Sequence, residues 1–372
     1  MSQQRSLTPL GCVERPWLMI DGKRFIDFSS NDYLGLRFDE RIKRAYIDGI
    51  DCYGVGSGGS PLVCGYDEVK RNFEQQFASF VGMDKALFLT SGYTANLSVF
   101  SVLFAKEKTE FFLDKSCHAS IYDALKLRGQ TFTRLLRYTH QDLNALERML
   151  KQSKAPRKVI VSEGIFSMTG QQSCIKSLLR LKRRYQASLV IDDAHCIGVK
   201  GIRGRGSASY VSPGDIDIII CPLGKAFAMQ GAMIAASESM IDELMQKARP
   251  YVYSTAPASA QVLALMKTLE LISNADKERV HLEFLIAYFN QKKQATTFKF
   301  IESTSAIQFV VFGDLSLVIT LHEHFKHMGI YCYPIRQPTV TYRKTGLRIV
   351  LSSKHTSGQI DDFFNALGQY QL

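Results

Sequence analysis

Four places along the chain set a chemically capable side chain just beyond a short apolar run. In SLVIDDAH, Asp192 closes the run and His195 stands three residues on, a carboxylate and an imidazole able to flank one heterocycle. In DIDIIIC followed by PLGKAF, Lys225 comes directly after a glycine instead of standing on a polar helix face. KALFLTSGYTAN passes through a Ser91-Gly92-Tyr93 turn into a helix start, whose free N–H groups and dipole suit a phosphate. EFFLDKSCHAS puts His118 past another run, again at the start of a helix. Singly, each has a plainer reading: a surface lysine, a helix cap with a satisfied histidine, an ordinary turn. Their joint occurrence is what argues for a site, because ligands of open α/β sheets bind at the carboxyl ends of the strands.

Those residues need a sheet to position them, and the sequence supplies one. From about residue 68, short apolar runs alternate with helical periodicity, and KALFLTS, EFFLD, KVIVSEG, SLVIDDAH, DIDIIIC and AMIAAS read as strands. Several lack any period-2 break, as expected where helices cover both faces. Between them, EVKRNFEQQFASFV sets Val69, Phe73, Phe77 and Phe80 at helical spacing, which is core packing. After about residue 257 two long helical stretches lead into SAIQFVVFG, a helix through LHEHFKHMG, the segment YCYPIRQPTV, LRIVLS and a last helix. The expected fold class is α/β with a mainly parallel central sheet and a smaller α+β C-terminal domain. The expected division is an N-terminal arm at 1–45, a large domain at 46–256 and a small domain at 257–372.

Composition narrows the function classes. A chain of 372 residues with 46% hydrophobic content can bury a large core. MSQQRSLTPLGCVERPW has no apolar h-region and no run of about 18 apolar residues occurs, so neither a signal peptide nor a membrane span is expected, and the cytoplasm is the expected address. The eight cysteines are scattered singly, without metal-ligand spacing, so reduced thiols and no metal are expected. The formal charge of +11 is spread through helical patterns such as LLRLKRRYQ, with no nucleic-acid signature, so no nucleic-acid partner is expected. GVGSGG at 54–59 matches the dinucleotide fingerprint literally, yet it follows a helical stretch where that fingerprint needs a strand. No P-loop, nucleophile elbow or H-E-x-x-H occurs.

NDYLGL (31–36), GVGSGGS (54–60), SGYTAN (91–96), SCHAS (116–120), SEGIFSMTG (162–170), DDAHCIGVKGIRGRGS (192–207), LGKAF (223–227) and YSTAPA from Tyr253 together resemble the α-oxoamine synthases. These are fold-type-I pyridoxal-phosphate enzymes that condense an amino acid with an acyl thioester, and the resemblance covers nearly the whole chain in order. SAIQFVVFGD, IRQPTV and LRIVLSSKHT are most similar to the branch of biotin synthesis that joins L-alanine to a pimeloyl thioester, carried on acyl carrier protein or coenzyme A.

The resemblance implies a role for each matching residue. Lys225 would hold the cofactor as a Schiff base and then remove the α-proton, a transfer that proximity makes effectively unimolecular. Asp192 would pair with the pyridine nitrogen, His118 stack on the ring, and His195 and Ser167 bond its phenolic oxygen. Ser91, Gly92 and Tyr93 would cradle the phosphate, with Ser254 and Thr255 reaching it from the neighbouring subunit of a homodimer whose active sites lie at the interface. Arg348 would clamp the amino-acid carboxylate, and Thr339 belongs to the substrate segment. The basic surface would help recruit an acidic carrier protein. Departures from the family pattern are Pro222 for a hydroxyl residue that bonds the phosphate, Lys70 for a histidine, Pro61, Cys196, Ala228 for a glycine, and Gln337 and Thr341 for prolines. Two other readings share these residues: condensation of glycine with acetyl-CoA or another acyl donor, and a retired paralogue that only binds a partner through its basic surface.

Overall fold

Leu189-Val190-Ile191 and Ile218 to Cys221 have no polar side to turn toward water, and both become inner strands with every one of these residues at most 1% exposed. In the computed structural model, which describes residues 7–11, 13–103, 108–127, 133–337 and 339–370, the chain forms two compact units. The larger comprises Asp39–Phe166 and Ser173–Ala275. Its seven-stranded sheet runs in the order Lys85–Leu89, Ala232–Ala236, Ile218–Pro222, Ser188–Asp192, Arg157–Glu163, Thr109–Asp114, Thr133–Tyr138. Only Ala232–Ala236 runs against its neighbours; the other six share one direction. Alternate residues of these strands, among them Leu113, Val161, Val190 and Ile220, pack with Val99, Phe100 and Ile121 of the covering helices in one core. The shared direction has a functional consequence, since Leu89, Asp114, Glu163, Asp192 and Pro222 all end at the same edge of the sheet.

The expected α/β class and mainly parallel sheet are what the larger unit shows, and all six strands read from the sequence are present. A seventh, Thr133–Tyr138, was not among them. It is an edge strand, and Arg134, Leu135 and Arg137 face solvent, so no continuous apolar run marks it.

The smaller unit comprises Met1–Phe38, Ser167–Gln172 and Asp276–Leu372. It holds an antiparallel sheet ordered Phe300–Ile301, Ile307–Val311, Gly346–Val350, Tyr333–Ile335, and a three-stranded sheet of Trp17–Ile20, Lys23–Asp27 and Ile330–Tyr331. Asp21 and Gly22 turn the hairpin with φ of 49° and 75°, the positive pair that an Asp-Gly loop favours. Residues 17–27, expected within an arm, thus form a hairpin whose second strand, Lys23–Asp27, pairs with Ile330–Tyr331.

The boundary expected near residue 257 falls instead after Ala275. The helix Ser259–Ser273 is apolar around most of its circumference and so stays within the larger unit, packed on the helix Glu40–Tyr53. A Cβ on Gly49 would stand 2.7 Å from the Ala260 Cα, so only glycine permits this approach. Among the described residues, no helix is long and apolar enough to cross a membrane.

Candidate active site

A tight turn presents Lys225. Leu223 N–H donates to Gly231 O at 2.9 Å, Ala228 N–H to Lys225 O at 2.8 Å and Met229 N–H to Leu223 O at 3.1 Å, folding LGKAFAM back on itself at the strand end. Ala228 sits in that turn with φ of 55°, the left-handed region that costs a residue with a Cβ about 1 kcal/mol, which accounts for glycine as the family's usual residue there. Lys225 is half-buried.

From the neighbouring strand end, Asp192 is 5% exposed. Its Oδ1 accepts from Ala194 N–H at 3.1 Å and its Oδ2 from Asn96 Nδ2 at 2.9 Å. The second hydrogen of Asn96 goes to Ser120 Oγ at 2.9 Å, and Ser120 Oγ lies 2.8 Å from His118 Nδ1. Ser120 N–H also points at that nitrogen, 3.3 Å away, so Nδ1 accepts and the ring proton sits on Nε2. A chain running from buried Asp192 through buried Asn96 and Ser120 to the exposed His118 therefore fixes the tautomer of the imidazole expected to stack. Desolvation lowers the His118 pKa, Asp192 opposes it, and the Lys225 charge lowers it further, keeping the ring neutral around pH 7. Asn96 and Ser120 lie within SGYTAN and SCHAS, yet a mid-helix Asn and a Ser carry no signal in sequence until the fold joins them.

His195 is buried in the turn after Asp192, and Asp193 anchors that turn. The Asp193 carboxylate accepts from Ser207 N–H at 2.9 Å and Ser207 Oγ at 2.5 Å, and its own N–H donates to Ile220 O. It fills the space that side chains at Gly164 and Gly206 would need. Burial pushes its pKa up to about 6. Cys196 in the same turn is fully buried and its thiol is pushed well up, so this departure from the family pattern is an inert packing group.

Ser91 caps the helix Gly92–Val102: its Oγ accepts from Thr94 N–H, and Thr94 Oγ1 accepts from Ser91 N–H, both at 3.1 Å. The capping box leaves the Gly92 and Tyr93 N–H groups without a described acceptor, two donors at the positive end of a helix dipole. The Tyr93 ring is turned aside, its OH donating to Asp123 Oδ2 at 2.8 Å. Pro222 packs on this turn; a Cβ on Gly92 would stand 2.6 Å from its Cγ. Lys70, the other notable departure, is buried and satisfied, its Nζ donating to Ser259 Oγ at 2.6 Å and to Asp67 Oδ2 at 3.2 Å. Ser57 Oγ donates to Ala256 O at 2.6 Å, so the glycine-rich loop braces the YSTAPA segment and leaves Ser254 half-buried and Thr255 exposed.

Arg348, Ser167 and Thr339 belong to the smaller unit. Arg348 is 8% exposed; its Nε donates to Ser167 O at 2.7 Å and its Nη2 to Asn31 Oδ1 at 3.0 Å, with Tyr33 as a further partner. Burial lowers its pKa but leaves it a cation, and these contacts hold the fork in one orientation. Thr339 is exposed, and Pro338 of the same IRQPTV segment lies outside the described residues, as does Cys12.

An amine, a carboxylate and a neutral imidazole beside a helix start, on one edge of a mainly parallel sheet, define a cofactor-binding transferase of the α/β class. The family model described as aminotransferase class I and II matches residues 23–367. A Nitrosococcus oceani protein named 8-amino-7-oxononanoate synthase is 37% identical over 354 residues, 95% of this chain and 93% of its own. One of the same name from Aeromonas salmonicida is 38% identical over 353 residues, 94% and 87% of the two chains. The solved 8-amino-7-oxononanoate synthase of Francisella tularensis aligns with a TM-score of 0.81 at 31% identity, covering 93% of this chain and 97% of that one. Serine palmitoyltransferase of Sphingomonas wittichii shares the fold, with a TM-score of 0.90 at 24% identity over 96% and 90% of the chains. The chain belongs to the class I and II aminotransferase family and, within it, is an acyltransferase of the 8-amino-7-oxononanoate synthase type with pyridoxal phosphate as cofactor.

Proposed function

We propose that the enzyme joins L-alanine to a pimeloyl thioester, giving 8-amino-7-oxononanoate, carbon dioxide and the free thiol carrier, in the cytoplasm. The observation that carries this reading is the convergence of Lys225, Asp192 and His118 with the two open N–H groups of Gly92 and Tyr93 on one edge of the larger unit's sheet. Those groups match the cofactor's functional groups in kind: an amine for its aldehyde, an anion for its ring nitrogen, helix N–H donors for its phosphate. When bound, pyridoxal phosphate supplies an electron sink for negative charge at the amino acid's α-carbon.

The chain's own residues do the remainder. Lys225 Nζ would hold the cofactor through its aldehyde, and the same amine, when free, would be the base placed to take the α-proton. Asp192 holds a proton on the ring nitrogen, and Asn96 and Ala194 hold Asp192. His118, kept neutral, would offer its flat face to the ring, and His195 and Ser167 would be the groups to bond its phenolic oxygen. Ser254 and Thr255 reach the phosphate from a second subunit, making the active enzyme a homodimer. Arg348 clamps the alanine carboxylate, and Thr339 contributes to the acyl side. The net charge of +11 favours an anionic acyl donor, acyl carrier protein or coenzyme A, through steering.

A panel of amino acids and thioesters tests the substrate pair. Release of free thiol should be fastest with L-alanine and pimeloyl thioester; a preference for glycine with acetyl-CoA would replace this reading by another α-oxoamine synthase activity. Pro222 leads to a separate expectation. Its ring takes the place over Gly92 that a hydroxyl would use to bond the phosphate, and one bond to a charged group is worth roughly 1.5–3 kcal/mol. Pro222→Thr should therefore tighten cofactor binding about ten- to a hundredfold in a dialysis titration; an unchanged dissociation constant would remove that role from position 222.

A further inference from the structure

Within the smaller unit a cavity of about 480 Å³ opens among Leu10, Val13, Trp17, Leu18, Tyr333 and Ile335, a volume within the range of small-molecule sites. Three arginines also line it, and they differ in how their charge is answered. Arg15 is paired with Asp27, Nη1 to Oδ2 at 2.5 Å, so its charge is cancelled inside the cavity wall. Arg348 is held by Ser167, Asn31 and Tyr33 and is assigned above to the alanine carboxylate. Arg37 is different: it is exposed, its guanidinium lies 5.3 Å from the centre of the Phe38 ring, and no described carboxylate pairs with it. Its backbone is nevertheless fixed, because Asp32 accepts from both Leu36 N–H at 2.9 Å and Arg37 N–H at 3.2 Å.

With Arg15 paired and Arg348 assigned to the alanine carboxylate, Arg37 is the cation at this largely apolar wall left for a further anion, which suits a ligand that is hydrocarbon along its length and anionic at its end. We propose that this cavity takes the acyl chain of the thioester and that Arg37 binds the carboxylate at the far end of that chain, making Arg37 a specificity residue for ω-carboxyacyl donors. The inference rests on the acyl condensation proposed above. The apolar walls bind the methylene chain of any acyl group of similar length, so Arg37 is what separates a diacid from a monoacid.

Two readouts test it in the holoenzyme. The first is kcat/KM for pimeloyl thioester against the heptanoyl thioester of the same carrier. Arg37→Met should lower the first about tenfold, the order expected for one charge-assisted bond, and leave the second unchanged; Arg37→Lys should recover part of the loss. An unchanged ratio, or an equal fall with both donors, would overturn the assignment. The second readout needs no turnover. Trp17 is the chain's only tryptophan and lines the cavity, so its fluorescence reports occupancy directly. Free pimelate should perturb it at lower concentration than heptanoate in the wild type, and Arg37→Met should erase that difference. If the wild type turns over neither thioester while the fluorescence still separates the two acids, the condensation reading fails and the cavity assignment stands; if fluorescence does not separate them, the cavity assignment fails whatever the turnover.

Discussion

Lys225→Ala is expected to cut turnover about 10⁴-fold, the upper end of what a positioned general base contributes, because the same amine both anchors the cofactor and moves the α-proton. The folded structure should survive, since the turn around Lys225 is closed by backbone bonds from Leu223, Ala228 and Met229 and not by the side chain. Cofactor should still enter, held by Asp192 and by the Gly92 and Tyr93 N–H groups, but without a covalent link. Two measurements separate these statements. Thiol release from the acyl donor reports turnover, and borohydride reduction followed by mass spectrometry reports attachment. The wild type should gain the mass of the reduced cofactor on the peptide carrying Lys225, and the variant should gain none. A variant within tenfold of wild-type turnover would show that another group carries the proton, and the site proposed on this sheet edge would then be wrong in its central residue.

Much of this site is legible in the sequence because catalysis at a sheet edge leaves local marks. Lys225, His118 and the Ser91 turn follow an apolar strand by a few residues and Asp192 closes one, and six such strands can be read from short apolar runs. What the sequence does not display is anything that depends on two strands meeting. Asn96 and Asp192 are 96 residues apart and bond at 2.9 Å; neither residue type announces the other. Asp193 looks like a duplicate of Asp192 until burial between Gly164 and Gly206 makes it the anchor of the turn. The domain boundary misleads for a related reason. Helical texture changes near residue 257, but burial follows the apolar faces, and Ser259–Ser273 has them on most sides. Ala228 shows the converse: its departure from a glycine is visible in sequence, while its strain becomes visible only as φ of 55°.

Asp192→Asn is the second large expectation and the more informative about mechanism. The carboxylate accepts from two donors, Asn96 Nδ2 and Ala194 N–H, and an asparagine in its place has one oxygen for the two. Its amide N–H₂ must therefore face a donor or turn toward the cofactor, and in either case the negative charge that keeps a proton on the ring nitrogen is gone. Loss of one preorganised electrostatic partner in a desolvated site costs about 10²–10³-fold in kcat, and KM for alanine should change little because Arg348, not Asp192, is the group assigned to its carboxylate. The substitution also reaches His118. Asp192 raises the His118 pKa against the lowering effects of burial and Lys225, so removing the charge should lower that pKa further. If neutral His118 is the working form, activity falls as pH drops through its pKa, and the acid limb of the pH profile should move to lower pH in the variant even as the plateau collapses. A fall in kcat with an unmoved acid limb would assign that limb to a group other than His118, whereas a shifted limb would tie both residues to one electrostatic unit spanning the Asn96–Ser120 bridge.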